Sequence, residues 1–247
     1  MIAITGANGL LGSFVLKKFV AEKQTVVALK RSTSNLSALA GFTDNVIWRE
    51  ADITNSLALR DAFESVDTVI HTAALVSFDP RSKNKIFDTN VVGTRNIVNA
   101  CLAQGIRRLI FISSVAALGR KKGVQEVSEE ARWVDSDLNS DYAKSKYLAE
   151  LEVYRGQEEG LSVSIVNPSV ILSTADPHKS SAQLFKYVQQ QRPFYTGGSI
   201  NYVDVRDVAD SVYYLYQNPA PGEKFIISAG TTDLSGLLSK IASRLGK

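Results

Sequence analysis

Residues 2–12 read Ile2-Ala3-Ile4-Thr5-Gly6-Ala7-Asn8-Gly9-Leu10-Leu11-Gly12. A short apolar run leads into a turn rich in glycine, and Leu10, Leu11, Phe14, Val15 and Phe19 then recur at helical spacing. This pattern predicts a strand, a glycine turn and an amphipathic helix. In such a unit Gly6 permits the tight turn, Gly9 lets the backbone approach a pyrophosphate, and Gly12 lets helix and strand pack closely. The helix start offers free N–H groups and the positive end of its dipole to phosphate. Thr5, Gly6, Asn8, Gly9, Leu10, Leu11 and Gly12 are therefore read as dinucleotide-binding residues.

Outward from this turn, brief apolar runs at Thr25–Leu29, Val46–Arg49, Thr68–Thr72, Leu109–Ile112 and Ser162–Val166 alternate with helical patterns. Ile97, Val98 and Cys101 belong to one such helix, and Leu148, Leu151 and Val153 lie on another. Runs rich in Val and Ile, apolar on both faces, read as buried parallel strands. Repeated β-α-β units with right-handed crossovers build an α/β doubly wound parallel sheet, the Rossmann fold. After Pro168 the pattern loosens. Loop-like residues fill 173–181, a helical segment lies near 182–191, a strand and helix occupy 201–216, and a last strand (224–227) and helix (233–245) follow. We read 1–170 as a dinucleotide-binding domain and 171–247 as a small substrate-side region that partly returns to the core.

The 247 residues carry a formal net charge of +3 without a dense basic patch, which argues against a nucleic-acid partner. One cysteine, Cys101, forbids an internal disulfide and suits a reducing compartment. No run approaches a membrane span, and the first residues lack the basic segment and cleavage site of a signal peptide. The expectation is a cytoplasmic protein with no membrane partner and no metal.

The end of the second strand selects the dinucleotide. An NAD site places Asp or Glu there, to bind the ribose 2′-hydroxyl. Here Leu29 is followed by Lys30 and Arg31, with no acid. Two cations favour a 2′-phosphate, so NADP(H) is expected, with NAD(H) the weaker alternative. Asp52-Ile53 follows the third strand, where Asp52 is placed either to accept a hydrogen bond from an adenine amino group or to cap the helix starting near Asn55. Thr72, Ala73 and Ala74 end the fourth strand, and their small side chains let the backbone approach a cofactor. His71 beside them reads as a structural strand-end histidine.

Tyr142 and Lys146 stand four apart at the start of a predicted helix and so share a face. A lysine ammonium near a phenol lowers its pKa, letting Tyr142 exchange a proton with a carbonyl or alcohol oxygen while hydride moves to or from the cofactor. Ser113 and Ser114 end the fifth strand, where a hydroxyl can hold the reacting oxygen. All these groups fall at or just beyond the carboxyl ends of successive strands, the edge where such folds bind ligands.

Taken together, TGANGLLG (5–12), DTVIHTAA (67–74), TNVVGTRNIVNAC (89–101), FISSVAALG (111–119), YAKSK (142–146), VNPSVI (166–171) and NYVDVRDVA (201–209) resemble the extended short-chain dehydrogenase/reductase family, also called the NAD-dependent epimerase/dehydratase family. ALKRS with SSVAALG is most similar to its dihydroflavonol-4-reductase-like members, which reduce carbonyls with NADPH. The resemblance implies that Ser114, Tyr142 and Lys146 are catalytic, Ser114 rather than Ser113 because it stands five residues before Gly119. It implies that Lys146 also contacts the nicotinamide ribose, that Asn167, Pro168 and Ser169 line the nicotinamide pocket, and that Asn90 is a structural asparagine on the helix behind the site. It further implies a homodimer through the helices near 90–104 and 142–159.

Three features depart from the family pattern. Ser173 stands where many members carry glycine, the chain stops at Lys247 before the usual remainder of the substrate region, and Val115-Ala116 replaces the acidic pair of sugar 4,6-dehydratases. The second is expected of a truncated or naturally short member. The leading expectation is a reductase acting on a small-molecule carbonyl, or on the alcohol in reverse. An NAD-dependent nucleotide-sugar epimerase and a non-catalytic NADP(H)-binding sensor or scaffold are the alternatives. Arg120-Lys121-Lys122 reads as a solvated loop or a pocket mouth for an anionic substrate, and Tyr187, Phe194, Tyr195 and Tyr202 as a pocket wall or local core.

Overall fold

The computed structural model of the chain describes every residue except 40, 43–45, 125, 174–182 and 193. The elements run β1 (Ile2–Thr5), α1 (Leu10–Ala21), β2 (Val26–Lys30), β3 (Val46–Glu50), α2 (Ser56–Ala62), β4 (Thr68–His71), α3 (Lys83–Phe87), α4 (Gly93–Ala103), β5 (Arg108–Ile112), α5 (Asp141–Glu158) and β6 (Ser162–Pro168). They continue through β7 (Val170–Leu172), α6 (Gln183–Gln189), β8 (Ser199–Asp204), α7 (Val205–Gln217), β9 (Lys224–Ile227), β10 (Gly230–Asp233) and α8 (Leu234–Leu245). Seven strands form a parallel sheet in the order β3-β2-β1-β4-β5-β6-β9. The chain winds outward from β1 to β3 and then crosses to β4 on the other side, so the switch point lies between β1 and β4.

Period-two alternation explains why these strands are apolar on both faces. Ala3, Val27, Val69, Leu109 and Val163 point to one side, where Leu59, Ile97, Cys101 and Val153 from α2, α4 and α5 meet them. Ile2, Ile4, Val26, Ile70 and Ile110 point to the other, against Leu11, Val15 and Phe19 of α1 and Val208 and Val212 of α7. Helix α7 is joined to α1 by the edge-on Phe19–Tyr213 pair, 5.1 Å between centroids, and by the Lys18–Asp210 ion pair at 3.0 Å.

Later elements divide their allegiance. Helix α7 and strand β9 complete the large sheet layer, whereas β7, β8 and β10 form a separate three-stranded sheet in the order β10-β8-β7. Helices α6 and α8 share a small cluster of Val188, Leu238 and Ile241. Strands β7 and β10 were absent from the sequence expectations: the first has three residues, and the second, Gly-Thr-Thr-Asp, carries no apolar alternation. The predicted loop at 173–181 lies almost wholly outside the described residues. Among the described residues, no helix is long and apolar enough to cross a membrane.

Candidate active site

A cleft of about 2330 Å³ follows the carboxyl edge of the large sheet across the switch point. At one end the wall is the turn after β1. Gly6 has φ +67°, and a Cβ there would lie 2.8 Å from Ala73 main-chain atoms. A Cβ on Gly12 would collide with the Gly6 carbonyl oxygen and stand 2.7 Å from Thr72 Oγ1. Gly12 thus lets the turn close upon itself and against the end of β4. Asn8, Gly9, Leu10 and Leu11 line the same wall, with Thr72, Ala73 and Ala74 opposite.

Thr5 does not reach the cleft surface, contrary to its assignment as a binding residue. It is fully buried, its Oγ1 is 2.7 Å from His71 Nδ1, and its carbonyl accepts from Thr72 Oγ1 at 2.7 Å. Thr5 ties β1 to β4 and shapes the turn from behind. Asn167 is likewise fully buried behind the lining, while its neighbours Pro168 and Ser169 do face the cleft.

Lys30 and Arg31 line the cleft at the end of β2, with Asp52 and Ile53 beside them. Among the described residues neither cation is held in an ion pair. Asp52 does not cap α2: Asn55 Oδ1 accepts from the N–H groups of Leu57 and Ala58, each at 3.2 Å. Asp52 instead shapes the preceding turn, accepting from Thr54 N at 2.9 Å and Thr54 Oγ1 at 2.7 Å. Burial pushes its carboxyl up, but the two Thr54 bonds and the nearby Arg31 charge outweigh it and hold Asp52 below the usual range.

The far end is built from side chains. Ser140 caps α5, its hydroxyl accepting from Ala143 N at 3.1 Å, which sets Tyr142 in the first turn at the cleft wall. Burial pushes the Tyr142 phenol up, and the nearby Ser114 hydroxyl only partly offsets this. Ser113 and Ser114 both line this end of the cleft, and of the two it is Ser114 that acts on the phenol. Lys146 is 2% exposed; its Nζ donates to the Ile112 carbonyl at 2.8 Å and lies 4.3 Å from the Phe111 ring centroid. Burial lowers this ammonium to about 7, against the opposing pull of Glu150. The expected lowering of the phenol by Lys146 is not what governs Tyr142 here, because the ammonium turns back to the strand end and burial dominates.

The elements behind this cluster fix it. Asn90, in a π-helical turn at Asp88–Val92, accepts from Leu75 N at 2.7 Å and donates to Leu75 O at 3.0 Å and Ser145 Oγ at 2.9 Å. Ser145 Oγ in turn donates to the Tyr142 carbonyl at 2.7 Å. His71, fully buried, touches Thr5 on one side and Thr94 Oγ1 at 3.1 Å on the other. Burial and the Lys146 charge push its imidazole down to about 3, so it is neutral at physiological pH and structural.

Sequence reasoning missed Phe78. It is 74% exposed, lines the cleft, and stands edge-on to Tyr142 at 6.0 Å between centroids. Only its position shortly after β4 hinted at this, since an isolated Phe in a polar stretch carries no periodic signal. The proposed wall of Tyr187, Phe194, Tyr195 and Tyr202 does not border the cleft; Val127 and Leu138 do. Of the basic run, Arg120 lines the cleft and Lys121 and Lys122 do not.

The lining fits a dinucleotide. The turn leaves main chain bare where a Cβ would intrude, and among the described residues the buried hydroxyls of Ser113 and Ser169 at the other end have no partner, ready for a polar group. Single small-ligand pockets occupy about 300–1,000 Å³, so a cleft of this size accommodates a dinucleotide and a substrate together.

The family model for the NAD dependent epimerase/dehydratase family matches residues 2–230. Cinnamoyl-CoA reductase 1 of Petunia hybrida is 27% identical over 97% of this chain and 77% of its own length. Dihydroflavonol 4-reductase of Zea mays is 26% identical over 98% of this chain and 74% of its own. The crystal structure of gox2253 superposes on the whole chain and 75% of its own, with a TM-score of 0.89 and 30% identity.

Proposed function

Since the chain belongs to the NAD-dependent epimerase/dehydratase family, in its dihydroflavonol-4-reductase-like branch of the extended short-chain dehydrogenase/reductases, we propose that it reduces a ketone or aldehyde with NADPH, Tyr142 giving the proton. The observation that carries this reading is that Ser114, Tyr142 and the buried Lys146 line one end of the cleft together, with the Lys146 ammonium held at the end of β5.

The turn from Gly6 to Gly12 and the start of α1 would hold the pyrophosphate, Lys30 and Arg31 the 2′-phosphate, and Pro168 and Ser169 the nicotinamide end. When bound, the dinucleotide supplies hydride. The rest is the work of this chain's own groups. The Ser114 hydroxyl holds the substrate oxygen beside the phenol. Burial keeps Tyr142 protonated at neutral pH, the state needed to give a proton to an oxygen that is gaining negative charge. A nucleotide-sugar epimerase would employ the same three residues, but the end of β2 offers Lys30 and Arg31 rather than the carboxylate that favours NAD.

The test follows NADPH absorbance with a panel of ketones, aldehydes and nucleotide sugars, comparing wild type with Tyr142→Phe. Loss of the acid is expected to slow turnover about 10²–10⁴-fold. Equal rates in the two proteins would overturn the role of Tyr142, and conversion of a nucleotide sugar without net cofactor change would favour the epimerase.

A further inference from the structure

Behind Ser114 and Lys146 lies a carboxylate that the site as described does not use. Glu150 stands one helical turn beyond Lys146 on α5 and is 2% exposed. Its Oε1 accepts from Asn167 Nδ2 at 2.7 Å, and the same nitrogen donates to the main-chain carbonyl of Ser114 at 2.9 Å. Its Oε2 stands 3.8 Å from Lys224 Nζ on β9.

Among the described residues Asn167 Oδ1 is buried without a partner, so the amide is anchored through its nitrogen. A carboxylate accepts and never donates. Glu150 therefore fixes the amide with its nitrogen inward, the orientation that gives the Ser114 carbonyl its donor. A buried carboxylate also requires positive charge nearby. Lys224 supplies it from one side, and the Lys146 ammonium shares the same helix face on the other.

We propose that Glu150 is a positioning residue of the active site, holding the Ser114 main chain through the Asn167 amide and sustaining the charge on Lys146 through space. Among the described residues, the groups facing this pair are few. Lys146 meets His71 of β4 and Phe111 and Ile112 of β5, with Tyr142 one turn before it on its own helix. Glu150 meets Asn167 of β6, Lys224 of β9, and Tyr154 on its own helix, whose phenol is pushed up by burial and then by Glu150.

The kinetic half of this inference rests on the reductase reading; the electrostatic half does not, and the experiment separates them. Lysine labelled at Cε is titrated by NMR in the whole chain, with Lys146→Met identifying the resonance. Glu150→Gln is expected to move the Lys146 titration to lower pH. Lys224→Met, which strips the carboxylate of its other cation, is expected to move it to higher pH. A general loosening of the fold would not give opposite signs, so unmoved titrations, or shifts of one sign in both variants, would overturn the proposal. For the kinetic half, Glu150→Gln keeps an acceptor for Asn167 and should shift the alkaline limb of kcat/KM to lower pH. Glu150→Leu removes one of the amide's two acceptors and should lower kcat about 10–100-fold with KM changed no more than about threefold. Wild-type kcat in Glu150→Leu would refute the positioning role. Should wild type turn over no carbonyl at all, the reductase reading fails, and the titrations still decide the electrostatic claim.

Discussion

At the Gly6 end of the cleft the wall is main chain, left bare by glycines and closed by the small residues Thr72 and Ala73. At the Tyr142 end it is side chain: a phenol, a serine hydroxyl and a buried ammonium, held by Ser145 on the same helix and by Asn90 and Asn167 from two other elements. The two ends meet through Thr5 and His71, which join β1 to β4 behind the lining. The first end depends on the absence of atoms within one short loop. The second depends on hydrogen bonds between residues far apart in the chain, such as Asn90 with Ser145.

That contrast is broken most directly at Gly12. A valine there must push its Cβ into the Gly6 carbonyl, a main-chain atom that cannot rotate away. Gly12→Val is expected to weaken NADPH binding by at least about 100-fold, equivalent to about 2.7 kcal/mol, as read by isothermal titration. The same variant should melt at lower temperature, since the collision exists without any ligand. NADPH affinity within a few-fold of wild type would mean that the turn is not the phosphate cradle.

The same contrast explains what could be read from sequence. The glycine turn was legible because a positive φ and a Cβ-sized gap dictate residue type locally. The large sheet was legible because each of its inner strands is apolar on both faces. Tyr142 and Lys146 shared a helix face by spacing alone. What escaped was set by tertiary contact. Thr5 and Asn167 sit in the right segments, but rotated behind the lining. Phe78 borders the cleft from a segment with no pattern. The Lys146 ammonium turns to Ile112 because the end of β5 offers a carbonyl there, which no spacing rule encodes.

His71 sharpens the comparison at its middle. In the folded protein its pKa falls from the usual 6.5 to about 3. Between those values the unfolded chain takes up a proton that the folded chain refuses, so stability drops as the solution is acidified below about 6.5. The slope from this one group is about 1.4 kcal/mol per pH unit, which by pH 5 amounts to about 2 kcal/mol. Urea unfolding of wild type and His71→Asn at pH 7, 6 and 5 should show wild type losing stability faster by that amount. Parallel slopes would show that His71 titrates normally and that the junction of the two ends is open to solvent.

Lys30 and Arg31 test the Gly6 end where it gives way to charge, and the expected effect is the smallest. Arg31 is exposed and Lys30 half-buried, so solvent screens whatever anion they meet. Lys30→Ala and Arg31→Ala are each expected to weaken NADPH about 5- to 10-fold while leaving NADH within about twofold. The planar fork of arginine suits a phosphate better than a point charge does, so Arg31→Lys should fall between wild type and Arg31→Ala. Asp52 accepts from Thr54 and lies close enough to Arg31 to feel its charge, and a phosphate must compete with that carboxylate. Asp52→Asn is therefore expected to tighten NADPH slightly, in opposition to the two alanine variants. All these differences should shrink in high salt, where the loss at Gly12→Val, steric in origin, should persist. Dissociation constants for both dinucleotides at low and high salt decide the point, and tighter binding of NADH than NADPH by wild type would remove the case for a 2′-phosphate site.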